Sequence, residues 1–165
     1  MYIEAIGKEP AMKKNKKTKT KPINTIKCVF PVKSINEALS RMVISAFVSQ
    51  LDPTISELSD MKTVVSEAVT NCIVHAYKNA EDKAKALVYI NGEYYPDGRV
   101  ILKIRDKGVG IEDIKQARQP LFTTDSQNER SGMGFTIMES FTDKLRVYSK
   151  KGRGTTVVIE KRIGL

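Results

Sequence analysis

The chain has 165 residues, 41% hydrophobic and 28% charged, enough for one domain with a proper core and cramped for two. No apolar run approaches the ~20 residues of a membrane span, and the first thirty residues lack the charged-then-apolar order of a secretory signal, so a cytoplasmic location is expected. Cys28 and Cys72 have no His or Cys at metal-ligand spacing, which argues against a zinc site or a disulfide scaffold, and the net charge of +9 is mainly a property of residues 1–21, where seven lysines face only Glu4 and Glu9.

Residues 1–23 therefore read as a basic leader. Lys13, Lys14, Lys16, Lys17, Lys19 and Lys21 stand in a polar, aromatic-poor stretch that cannot bury enough surface to offset its ordering entropy, so disorder is expected. Without interleaved aromatics the leader is a solvated extension in preference to a nucleic-acid tether, and direct nucleic-acid binding is not expected. Residues 24–165 are read as the single folded domain.

Ile26, Val29, Phe30 and Val32 predict a first strand over 24–32, with Pro31 pushing it toward a sheet edge or a strand end. Ser34 and Glu37 have the form of a capping box, opening a helix whose apolar positions run through Leu39, Met42, Val43, Phe47 and Leu51. Asp52-Pro53 interrupts it, and Thr54 with Glu57 repeats the pattern before a long helix reaching about Tyr77. Alternation at Val88, Ile90 and Tyr94, then Val100, Leu102 and Ile104, about Pro96-Asp97-Gly98, predicts a hairpin. A short helical piece over 112–118, a polar loop, a helix over 134–141 and a second hairpin turned at 151–154 complete the chain. This order predicts an α/β two-layer sandwich, a mostly antiparallel mixed sheet covered on one face by helices.

Four segments could carry chemistry. Glu67 and Asn71 stand four apart on the long helix and share a face, where a carboxylate and an amide oxygen can hold a metal ion or orient a hydroxyl. Asp106, Gly108 and Gly110 follow a strand, and the glycines allow positive φ and close approach to a ligand. Gly132 and Gly134 open a helix, a place that suits phosphate. Thr155 lies in the terminal hairpin after Gly154. No P-loop or dinucleotide-binding string is present.

In order and spacing these segments resemble the four ATP-binding boxes of the GHKL (Bergerat) superfamily. Residues 62–71 (KTVVSEAVTN), 117–124 (ARQPLFTT) and 129–139 (ERSGMGFTIME) are more closely similar to the sporulation anti-sigma F family of serine kinases, over about residues 24–163. The resemblance implies a sigma-factor inhibitor that also phosphorylates a serine of an anti-anti-sigma partner from ATP and Mg2+, dimerising through the first strand and helix. It implies Glu67 as general base, Asn71 as the Mg2+ ligand, and Asp106 as acceptor of the adenine amine. Gly108 and Gly110 would approach the nucleotide, Gly132 and Gly134 would supply donors to the phosphates, and Thr155 would complete the adenine pocket. A lid over about 119–130 would close on the phosphates with Arg130, and Arg41 would grip partner proteins. His75 lies one turn beyond Asn71, within possible reach of the phosphates. The alternative is an ATP-dependent sigma-binding module that transfers no phosphate.

Overall fold

A computed structural model describes residues 20–78, 85–119 and 132–164; Arg130 and nearly all of the expected lid fall outside these residues. Five strands, β1 (Asn24–Pro31), β2 (Leu87–Tyr94), β3 (Arg99–Arg105), β4 (Lys144–Lys150) and β5 (Gly154–Arg162), form one sheet in the order β1-β2-β3-β5-β4. Every pairing is antiparallel. Proline lacks the N–H of an interior ladder, and Pro31 accordingly sits in the edge strand β1. The β2–β3 turn closes through Gly98, whose φ of +74° suits glycine.

Helices α1 (Ile35–Val48), α2 (Ile55–Asn71) and α4 (Gly134–Ser140) cover one face, and α3 (Ile114–Ala117) is a single turn capped by Asp113. α2 is the central element. Its capping box is complete: Thr54 accepts from the Glu57 N–H, and the Glu57 carboxylate accepts from the Thr54 N–H at 2.7 Å. That N–H is the main cause holding the Glu57 carboxyl below its ordinary value. α2 buries Met61, Val64, Val65, Ala68 and Val69 against Ile90, Leu102, Ile104 and Ile159 of the sheet. Burying one such aliphatic side chain is worth about 1.5–3 kcal/mol, so this seam dominates the packing.

The first helix departs from its expected phase. Ile44, Phe47 and Val48 are buried with Ser40, whereas Leu39 and Met42 are exposed at 44% and 69%. Nor does Ser34 cap: its backbone is already helical and its side chain makes no cap bond. Glu37 is recruited elsewhere, accepting a hydrogen bond from Ser66 of α2 and pairing with Arg41 at 3.3 Å. A partly buried polar contact between helices outcompetes a solvent-exposed cap. No helix among the described residues is long and apolar enough to cross a membrane.

Candidate nucleotide site

α2 ends in five π-helical residues, Cys72–Ala76. Widening the helix here shifts His75 and Ala76 out of α-helical phase just beyond Glu67 and Asn71, a distortion frequent at functional sites. Next to this end, between α2, α4, the loop after β3 and the start of β5, lies a cavity of about 760 Å3. Glu67, Asn71, Asp106, Gly110, Gly132, Gly134 and Thr155 all line it. Residues from four separated segments thus meet around one space. Arg41 stands apart on α1, its side chain 42% exposed.

Asp106 is the electrostatic centre of the inner wall. It is 3% exposed, and its Oδ1 accepts from the Gly108 N–H at 2.9 Å and the Thr155 N–H at 3.1 Å. Among the described residues its Oδ2 receives only the Cys72 thiol at 3.8 Å, a weak donor. Burial pushes the Asp106 pKa up, with the Gly108 and Thr155 N–H groups opposing that rise. The Cys72 thiol is pushed far up, by burial first and the Asp106 charge second, so it stays protonated and donates. A buried carboxylate with one oxygen fully supplied and the other poorly supplied is suited to a ligand donor.

The surrounding loop is held rigidly. The Asp106 N–H donates to the Thr155 carbonyl at 2.9 Å, and the Ile111 N–H donates to Ser149 Oγ at 2.7 Å. Ser149 Oγ also lies 2.8 Å from the Thr155 hydroxyl. Gly110, at φ +72°, lies where a Cβ would meet the Lys150 carbonyl at 2.2 Å. Gly108 has a different reason from the one expected. A Cβ there would lie 1.9 Å from the Ala76 carbonyl, so glycine is required by the helix end, to which Val109 N–H donates at 2.8 Å. Gly108 does not line the cavity, whereas Ala76 does.

At the other end, Gly134 sits over the helix pair. A Cβ at 134 would stand 3.0 Å from Glu67 Oε2 and 3.5 Å from Asn71 Nδ2. Gly132 holds φ +63°, a backbone state that favours glycine. The walls between these ends are apolar, with Val109, Ile111, Met133, Phe135 and Val157 contributing. Sequence reasoning missed Cys72 and Val157 as wall residues. Val157 was reachable through strand period, since it shares a face with Thr155; Cys72 required knowing where Asp106 lands.

An apolar slot carrying one buried carboxylate at one end and a carboxylate, an amide and glycine backbone at the other matches the two ends of a nucleotide. Residues 30–161 match the family model described as a histidine kinase-like ATPase domain, which fixes the class. Over 142 residues the chain is 53% identical to the anti-sigma F factor of Clostridium beijerinckii, covering 86% of this chain and 96% of that one. It is 51% identical over 140 residues to the anti-sigma F factor of Geobacillus kaustophilus, covering 85% and 93%. The chain therefore belongs to the anti-sigma F factors within the histidine kinase-like ATPase family. Among solved structures, the RsbU and RsbW domains of Rv1364c from Mycobacterium tuberculosis match with a TM-score of 0.62 at 16% identity, over 86% of this chain and 33% of that one; this supports the fold alone.

Proposed function

We propose that the chain is an ATP-dependent anti-sigma factor of the cytoplasm that sequesters a sporulation sigma factor and phosphorylates a serine of its anti-anti-sigma partner. The observation that carries this reading is the meeting of Glu67, Asn71, Asp106, Gly132, Gly134 and Thr155 around one cavity. The kin named anti-sigma F factor support the sigma-binding half. In this reading Asp106 accepts the exocyclic amine of adenine, which a carboxylate can do and the corresponding acceptor of guanine cannot satisfy. Thr155 fixes the carboxylate through its backbone N–H, and Gly110 shapes the loop beside the base.

Asn71 would hold Mg2+, whose charge would offset that of the phosphates. The described residues contain no cluster of three His, Cys, Asp or Glu able to hold a metal alone. The amide oxygen of Asn71 on the cavity wall is a hard donor that suits Mg2+, which takes most of its other ligands from phosphate and water. Glu67 takes the proton of the serine hydroxyl as its oxygen bonds to the terminal phosphorus and ADP departs, giving phosphoserine. Gly132 and Gly134 direct backbone N–H groups at the phosphates, and Arg130 adds a charge there.

Arg41 contacts partner proteins, oriented by Glu37. The outward stripe of Ile35, Leu39 and Met42 on α1, together with the backbone edge of β1, is the surface for a second copy of the chain. Residues 24–165 carry these activities and the leader over 1–23 is dispensable for them. The test is transfer of labelled phosphate from ATP in Mg2+ to the anti-anti-sigma protein, comparing the parent chain with Glu67→Gln. Transfer by the parent and its loss in Glu67→Gln, with ATP still bound, is expected. No transfer by the parent leaves the alternative of a sigma-binding module in which ATP is structural.

A further inference from the structure

The sheet face opposite the helices carries a charge pattern that ATP binding does not use. Cross-strand register aligns Lys27, Asn91, Lys103, Val158 and Arg146 in one row. Val29, Tyr89, Arg105, Thr156 and Tyr148 form the next. At a strand spacing of about 4.8 Å each row spans roughly 19 Å, and the cations of the first recur on every second strand. Lys150 extends the basic field at the rim, whereas Arg99 and Arg162 are paired with Asp97 and Lys144 with Glu160. Glu93 and Glu160 are the carboxylates among the outward strand positions, and Glu160 is already paired with Lys144 and Arg146. Lys27, Lys103, Arg105 and Lys150 make no ion pair with another described residue.

Aromatic rings interleave these cations. Tyr148 is 58% exposed. Tyr89 lies two strands from β5 in the same row, with Lys107 Nζ 4.9 Å from its ring centroid. We propose that this open face binds single-stranded nucleic acid, its lysines and arginines neutralising phosphates while Tyr148 and Tyr89 stack on unpaired bases. This reverses the expectation drawn from the leader, which has the charge without the aromatics.

A second copy is a poor occupant, because it would set one basic face against another. An acidic protein would satisfy the cations and leave the tyrosines without a role. A duplex hides the faces of its bases, so the rings select single strands.

The test measures fluorescence anisotropy of a labelled oligo-dT of roughly twenty nucleotides with the full-length chain at several salt concentrations. The arms are the parent, Lys103→Ala/Arg105→Ala/Arg146→Ala, Tyr148→Ala, and Lys13→Ala/Lys14→Ala/Lys16→Ala in the leader. Circular dichroism verifies that each variant is folded. The expected result is salt-dependent binding that the sheet triple weakens about tenfold or more, with the salt slope reduced by about two at roughly 0.7 per phosphate contact. Tyr148→Ala weakens dT binding while leaving binding to dextran sulfate, a polyanion without bases, unchanged. Any of four results overturns the proposal: no binding at low salt, loss in the leader variant with none in the sheet triple, equal or tighter binding of poly-glutamate or a duplex on the same residues, or a change of oligomeric state in the sheet triple.

Discussion

Asp106 shows how one buried side chain can be tested from two directions. Asp106→Asn is expected to weaken ATP binding by about 1–3 kcal/mol, the cost of disrupting a buried charged hydrogen bond; calorimetric titration with unaltered affinity would remove the adenine assignment. The pH dependence has a definite sign. Burial raises the Asp106 pKa, so the folded protein binds that proton more tightly than the unfolded chain. Its contribution to stability therefore grows as pH falls through the raised value towards the ordinary one, and opposes folding above it. ATP affinity moves the other way, falling as the carboxylate protonates, at a pH above the usual aspartate range. Comparing parent and Asp106→Asn by titration and thermal melts from neutral to mildly acidic pH checks both signs. The two glycines also separate function from stability. Gly134→Ala places a methyl 3.0 Å from Glu67 Oε2 and is expected to cut phosphotransfer with little change in Tm. Gly108→Ala drives a methyl into the Ala76 carbonyl and is expected to cost about 2 kcal/mol or more, lowering Tm by roughly 4–8 °C.

At the scale of elements, the long helix was legible because its signals agree: Pro53 before it, Thr54 and Glu57 at its start, and an apolar stripe along it. α1 was harder to read because its outward face is also apolar, so periodicity alone admits two phases. Packing against α2 chose Ile44, Phe47 and Val48, with the Phe47 and Tyr94 rings 5.1 Å apart. The two cap signatures yield a direct comparison. Thr54→Ala should cost about 1 kcal/mol, or 2–4 °C in Tm, whereas Ser34→Ala should stay within about 0.5 kcal/mol. Equal losses in differential scanning calorimetry would contradict the capping geometry. The π-helical end of α2 had no sequence signal, since nothing in the run from Cys72 to Ala76 marks a widened turn.

At the scale of the molecule, assembly and leader are separable. Met42→Lys together with Leu39→Lys is expected to convert a dimer to a monomer in sedimentation equilibrium without disturbing ATP affinity, since neither residue touches the cavity. A species of unchanged mass would place the dimer contact elsewhere. Deleting residues 1–21 should leave sigma inhibition intact; its loss would bring the leader into the mechanism.

Periodicity, caps and turn residues by themselves determined the order of the main helices and strands and the residue types of the candidate site, because each depends on neighbours in the chain. Tertiary structure decided what depends on residues distant in sequence. It turned Glu37 from a cap into a bridge between α1 and α2, assigned Gly108 to the helix end, and set the Cys72 thiol against Asp106. It also aligned cations from separate strands into rows on the open sheet face. Such relations follow from register and close packing, which bring together groups that the linear order leaves far apart.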